Sequence, residues 1–195
     1  MKILMYIDSM APAGGIERVV SKHATFFLKY HEVILITKDD KESFYVLPSL
    51  IATNSLHIDN SMNMHNKFER IFQSARQLLL AKKKLGKIIN GYDLFYVTHV
   101  RNLLELYLAG VDMQKVIVTE HGSYYAYNKI YKKLKKFLYP KCKYIVSPTS
   151  MDFEIYKNED CNSIYIPNPL SFFNEKYSFL NQKIVVNIGR LTGDK

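Results

Sequence analysis

The chain has 195 residues, 48% of them hydrophobic and 23% charged, with a formal net charge of +9; it carries enough apolar material for one sizeable core and is not a disordered or low-complexity protein. Two cysteines, Cys142 and Cys161, cannot form a disulfide framework and lack the close paired spacing of a zinc or redox site. The first apolar stretch ends at Asp8, too short for a signal-peptide core, and no later stretch has membrane-spanning length, so a cytoplasmic protein is expected.

Residues 2–7 form a short β-rich run. A loop with Pro12 and Gly14-Gly15 follows, and then Ile16, Val19, Val20, His23, Ala24, Phe27 and Leu28 recur at helical spacing. Residues 33–37 read as the next strand, completing a βαβ unit whose two strands are expected to be parallel neighbours. Segments 44–47 and 56–59 are expected as shorter strands or edge pieces. From 66 to 90 a long helical pattern runs through Phe68, Ile71, Phe72, Ala75, Leu78, Leu79, Leu85 and Ile89, with Gly91 as its stop signal.

A strand is expected at 93–97 and a short helix at 103–109, ended by Gly110. Residues 115–119, with Val116, Ile117 and Val118 consecutive, are the most β-like run, and continuous apolarity marks a strand covered on both faces. A helix at 127–139 terminated by Pro140, a strand at 144–146, a helix at 151–157 and a strand at 164–166 follow, then Pro167-Asn168-Pro169. This alternation predicts an α/β fold, a doubly wound Rossmann-like parallel sheet over residues 1–169, with ligands at the carboxyl ends of its strands. Residues 170–182 read as an interdomain linker, and residues 183–195 as the truncated start of a second α/β domain. In that last segment Arg190 and Lys195 offer a guanidinium and an ammonium group to a diphosphate.

Functional residues should therefore sit just after strands. The Gly14-Gly15 turn fits neither the dinucleotide fingerprint nor the P-loop, yet it allows close backbone approach and exposes helix N–H donors suited to an anion. The plainer reading is a strand-to-helix turn, with Glu17 complementing the helix dipole. His121, in Thr119-Glu120-His121-Gly122, follows the strongest strand, where an imidazole can donate or accept a hydrogen bond at neutral pH. His99 and Arg101 follow the 93–97 strand in the same way. Residues 121–151 hold no carboxylate but seven lysines, from Lys129 to Lys143, creating a local positive field for anionic lipid, nucleic acid or a phosphorylated substrate. On the 127–139 helix, Lys129, Lys132, Lys133 and Lys136 line one face, read either as a solvated surface or as a contact with an anionic membrane without insertion. Nucleic-acid binding is not expected, because no arginine-rich stripe, RNA-binding signature or zinc pattern occurs.

Four features in this order, Gly14-Gly15-Ile16-Glu17-Arg18, Thr119-Glu120-His121-Gly122, Ile166-Pro167-Asn168-Pro169, and Gly189-Arg190-Leu191 with Lys195, resemble the retaining glycosyltransferases of family 4, which have the GT-B fold. The resemblance implies that a nucleotide-activated sugar binds between two domains and is transferred with retention of configuration, without a metal or other cofactor. It makes residues 1–169 the acceptor-side domain. Within it, His121 corresponds to the histidine facing the donor sugar. Gly15, Arg190 and Lys195 correspond to the groups on the donor diphosphate. Gly14, Glu17, His99, Arg101, Glu120, Gly122 and Asn168 are then candidates for acceptor binding or for the closing loop. Pro169 stands where the family usually has glycine and restricts Asn168 to extended backbone.

The family's pair of glutamates and its base and ribose pockets belong to the second domain, and no residue of this chain corresponds to them. The resulting expectation is the acceptor-binding half of a glycosyltransferase, inactive alone. Its partners would be a nucleotide sugar, a lipid-linked glycan acceptor of polysaccharide or glycolipid assembly, and the inner face of the cell membrane. The rival expectations are a non-catalytic membrane- or partner-binding module and a free-standing nucleotide-binding protein.

Overall fold

Seven short runs pair into one all-parallel sheet in the order β3-β2-β1-β4-β5-β6-β7. The structure is a computed structural model and describes residues 1–59 and 66–169. Its elements are β1 (Lys2–Ile7), α1 (Gly15–Phe27), β2 (Glu32–Thr37), β3 (Ala52–Ser55), α2 (Lys67–Leu85), β4 (Leu94–Val97), α3 (Val100–Ala109), β5 (Val116–Thr119), α4 (Lys129–Leu138), β6 (Tyr144–Ser147), α5 (Ser150–Asn158) and β7 (Ser163–Tyr165). The chain direction reverses its lateral progress at β1, which has β2 on one side and β4 on the other. Such a switch point leaves a crevice at the strands' carboxyl ends.

Side-chain alternation explains the continuous apolarity of the central strands. Leu4 and Tyr6 of β1 join Phe95, Val97, Val116 and Val118 in one core, under residues of α2 to α5. Ile3, Met5 and Ile7 join Leu35, Tyr96 and the α1 residues Val20 and Ala24 in the other. Both faces of the sheet centre are therefore dry, as a period of two requires for a strand sandwiched between helices.

The helices end where local chemistry lets them. Side chains of Asn66, Asn128 and Thr149 accept bonds from the free N–H groups of the first turns of α2, α4 and α5. Gly110 closes α3 in the left-handed conformation, φ 91°, as expected of a C-terminal glycine. α2, however, stops at Leu85 with Gly86 as its cap, and Gly91, φ 84°, belongs to the next turn. α4 starts at Lys129 because Tyr124–Ala126 form a separate 3-10 turn, and a second such turn, Tyr139–Lys141, contains Pro140.

Two expected strands are displaced. Residues 44–47 are irregular, and the edge strand is β3, immediately before the expected 56–59 segment. β3 reads Ala-Thr-Asn-Ser and is mostly exposed, so it carries no hydrophobic signal. The apolar residues after it, Leu56 and Ile58, are buried while their N–H groups bond the carbonyls of Thr37, 2.8 Å, and Lys38, 2.7 Å. The expected linker at 170–182 and the expected strand at 183–195 lie outside the described residues. Among the described residues, no helix is long and apolar enough to cross a membrane.

Candidate active site at the carboxyl edge of the sheet

Three loops meet at the switch point: residues 8–14 after β1, 98–99 after β4 and 120–123 after β5. In the third, side-chain parity separates two consecutive residues. Glu120 continues the row of Val116 and Val118 into the core beneath α4 and α5, whereas His121 continues the row of Thr119 onto the side of α1.

His121 is half-buried, with Nε2 3.3 Å from Thr119 Oγ1. Thr119 Oγ1 also lies 3.4 Å from the Val97 carbonyl, to which its hydroxyl can donate. In the tautomer that carries the proton on Nε2, the imidazole donates to Thr119 and Nδ1 is the accepting nitrogen. Burial, and secondarily the nearby His23, push the His121 pKa down to about 4, so the ring is neutral at physiological pH. His23, on α1, pairs through Nδ1 with the Tyr96 hydroxyl at 2.9 Å and is itself held neutral by burial.

Gly14 and Gly15 open α1 without a side-chain cap, and a side chain at Gly15 would meet nothing within 4 Å. A side chain at Gly14 would collide with the Glu17 carboxylate, which folds back over the first helical turn. Glu17 thus complements the helix dipole, as the plainer reading of the sequence holds. The Tyr45 hydroxyl donates to Gly14 O, 3.1 Å, and fastens the turn from the β2 side. At Gly122 an added Cβ would lie 3.3 Å from the Tyr127 hydroxyl.

Glu120, a candidate for acceptor binding or for the closing loop, lies in the loop after β5 with its side chain turned into the core. It is 1% exposed, and its carboxylate receives Lys135 Nζ at 2.8 Å, the Tyr127 hydroxyl at 3.0 Å and the Tyr139 hydroxyl. Lys135, a member of the basic run, is 0% exposed and also donates to the Tyr156 hydroxyl at 3.0 Å. The pair anchors the loop after β5 to α4 and α5.

His99 caps α3, accepting from the Arg101 N–H at 3.2 Å, and its ring stands edge-on to Tyr131 at 5.4 Å between centroids. Burial lowers its pKa against the pull of Asp8 and Glu120. The Arg101 guanidinium donates to Gln77 Oε1 at 2.7 Å and lies 3.7 Å from the Glu105 carboxylate. Both residues are held by the fold at the crevice margin. Asn168 is exposed beyond the edge strand β7, with β6 between it and β5, so the structure does not bring it to His121. Arg190 and Lys195 lie outside the described residues. Lys129, Lys133 and Lys136 are exposed, while the Lys132 ammonium packs over the rings of Tyr124, 5.2 Å, and Tyr125, 5.5 Å. Among the described residues, no group of three or more His, Cys, Asp or Glu side chains could hold a metal ion.

One buried network escaped the sequence analysis. Lys38, 1% exposed, bridges Asp8 at 2.6 Å and Glu105 at 2.7 Å, while the Tyr6 hydroxyl donates to Glu105 at 2.7 Å and Asn102 donates to Asp8 at 2.9 Å. A signal existed: Ile7 and Thr37 are partners in the β1–β2 ladder, so the residues one step beyond, Asp8 and Lys38, must face each other. Lys38 and Asn102 hold the Asp8 carboxyl below its ordinary pKa, against the opposing effect of burial. A hollow of about 520 Å³ at the β2–β3 edge, lined in part by Asp40, Leu47 and Ile51, does not include His121; the strand topology, and not cavity size, locates the site.

Residues 13–170 match Glycosyltransferase Family 4. The chain belongs to this family. It is 26% identical over 201 residues to a Campylobacter jejuni enzyme described as a GalNAc-α-(1→4)-GalNAc-α-(1→3)-diNAcBac-PP-undecaprenol α-1,4-N-acetyl-D-galactosaminyltransferase, covering all of this chain and 54% of that relative. The fold is similar to that of sucrose-phosphate synthase from Thermosynechococcus elongatus, with a TM-score of 0.59 and 13% identity over 85% of this chain and 47% of that one. It is also similar to a glycosyltransferase from Rickettsia africae, with a TM-score of 0.55 and 20% identity over 85% and 42%. Anabaena HepE, solved in complex with UDP and glucose, matches with a TM-score of 0.51 and 14% identity over 87% and 45%. This family 4 chain thus spans about half the length of the relatives it matches. Its seven-stranded parallel sheet is the Rossmann-like lobe expected of a GT-B glycosyltransferase.

Proposed function

We propose that this chain is the acceptor-side lobe of a retaining glycosyltransferase that moves a sugar from a nucleotide-sugar donor to a lipid-linked glycan. The observation that carries this reading is a neutral His121 at the carboxyl end of β5, at the switch point that also presents the Gly14-Gly15 turn. The printed activity of the Campylobacter jejuni relative, transfer to an undecaprenol-diphosphate-linked glycan, and the UDP and glucose bound to HepE support the choice of substrates.

In this reading His121 Nδ1 accepts a hydrogen bond from a hydroxyl of the donor sugar and fixes its orientation. Free N–H groups at Gly15 face the diphosphate, and Arg190 and Lys195 neutralise the charge that develops on it as the glycosidic bond breaks. No metal or cofactor takes part. The exposed Lys129, Lys133 and Lys136 hold the lobe against an anionic membrane surface, consistent with a peripheral protein on the inner face of the membrane.

The lobe alone supplies one wall of the cleft. Mass-detected assay of the purified 195-residue chain is expected to show no sugar transfer from any nucleotide sugar. Turnover by that chain would overturn the two-lobe reading.

A further inference from the structure

The hollow at the β2–β3 edge takes no part in the site above, yet its lining is not that of a plain sheet margin. Leu35 pairs with Thr53 and Thr37 with Ser55, so by strand alternation these four side chains share one face of the sheet. On β1 and β2 that face is the core beneath α1, and Leu35 belongs to it. On β3 the same face turns polar, and the hollow of about 520 Å³ lies where the core would otherwise continue. Its volume is in the range of small-molecule sites. Met10 and Ile51, 2% and 5% exposed, give it an apolar wall together with Leu47.

The charges of the hollow oppose those of the chain. Asp39, Asp40 and Glu42 line it against Lys41, three negative groups and one positive, which leaves the lining at −2 in a chain of net charge +9. Asp40 is engaged with His57. Asp39, in contrast, is 8% exposed, and its Oδ1 is buried with no hydrogen-bond partner among the described residues. A buried carboxylate oxygen without a donor is costly and rare in folded proteins. Thr53 and Asn54 stand exposed beside it on β3. The lining thus offers acceptors to ligand hydroxyls, its own hydroxyl and amide groups as donors, an apolar wall for the carbon face of a sugar ring, and a field that repels phosphate.

We propose that the hollow binds an uncharged, non-reacting sugar unit of the acceptor glycan, with a ring hydroxyl donating to Asp39 Oδ1. The proposal rests on the reading of the chain as an acceptor-side lobe. β2 is three interstrand spacings from β5, about 14 Å, so a sugar held here is not the one that meets His121. The hollow nonetheless borders the reacting region. Ser43 in its lining begins the segment whose Phe44 N–H donates to Met10 O at 2.9 Å and whose Tyr45 hydroxyl donates to Gly14 O at 3.1 Å. The spread of hydroxyl and amide groups over the lining suits a neutral ring better than a lone ammonium group.

Amide NMR of the 195-residue chain tests this, with methyl α-glucopyranoside and methyl α-N-acetylgalactosaminide as neutral probes and glucose phosphate and glucosamine as charged ones. At least one neutral glycoside is expected to give saturable shifts at Thr53, Asn54 and Ser55 with a millimolar Kd. Glucose phosphate is expected to bind at least about tenfold more weakly, because the carboxylates repel it. Asp39→Asn should weaken the neutral glycoside about tenfold through loss of a charge-assisted bond. Thr53→Tyr should abolish binding by filling the hollow, with a residue type that suits an edge strand. Shifts that never saturate, or that centre on Thr119 and His121 while residues 53–55 stay still, would overturn the proposal. Binding unchanged in both folded variants would also overturn it, as would binding of glucosamine where both neutral glycosides fail, which would make the hollow a cation site. Sugar transfer by the complete product of the reading frame reports separately on the glycosyltransferase reading. If transfer occurs while the hollow takes up no sugar, only the assignment of the hollow fails.

Discussion

Lys135→Met is expected to destabilise the chain by about 3–5 kcal/mol, the usual consequence of removing one partner of a buried ion pair. The Glu120 carboxylate would keep its bonds from Tyr127 and Tyr139 but lose the charge that lies 2.8 Å away. Neither side chain reaches solvent, so water cannot replace the ammonium group. Burial drives the Lys135 pKa down, and the attraction of Glu120 opposes that shift. Against a total stability of about 5–15 kcal/mol the loss is large. Urea denaturation measures it, and the double variant Glu120→Leu with Lys135→Met should recover only part of it, because the apolar pair leaves no stranded charge but deprives the Tyr127, Tyr139 and Tyr156 hydroxyls of their partners. A loss below about 1 kcal/mol for the single change, the level of an exposed pair, would show that the two residues are not buried together.

His121→Ala is expected to lower sugar transfer by the complete product of the reading frame about 10²- to 10³-fold, the range seen when one preorganised polar group at the reacting centre is removed. The fold should survive, since the ring makes one side-chain bond, to Thr119. Its titration separates a site role from a structural one. A histidine whose pKa is lowered to about 4 in the fold stays neutral while the unfolded chain takes up a proton near pH 6.5. The native state therefore loses stability as pH falls from that range toward about 4, and the variant should lack this part of the slope. Ring NMR shifts of His121 that move with a midpoint near 6.5 would contradict the buried, neutral imidazole. Unchanged turnover in the variant would leave His121 as structure.

The parts of this fold that were legible in the sequence are those where burial writes a pattern. β1, β2 and β4 are covered on both faces, and β5 joins one core through Val116 and Val118 with Ile117 half-buried on the other side, so their apolarity is unbroken, and the glycines and caps around them punctuate the chain. β3 was illegible because its backbone bonds to β2 while its side chains face solvent. α2 ran past its real end in the sequence reading, since Ile88 and Ile89 continue the spacing after Gly86 has closed the helix. At the site, the rule that function follows strands located Glu120 and His121 together but could not orient them. Parity along β5 was the missing step: it sends Glu120 to the α4–α5 side with Val118 and His121 to the α1 side with Thr119. The Asp8–Lys38 pair needed the strand register as well as the strand assignment, because each residue alone resembles an ordinary loop charge.

Transfer itself is the most direct measurement. The complete product of the reading frame would be incubated with a panel of nucleotide sugars and a polyprenyl-diphosphate-linked glycan in vesicles, and the glycan followed by mass and by the anomeric configuration of the new linkage. The account predicts a gain of one sugar residue with one of the donors, the configuration of the donor retained and the gain lost in His121→Ala. A folded protein that adds no sugar from any donor, or that inverts the configuration, would contradict it.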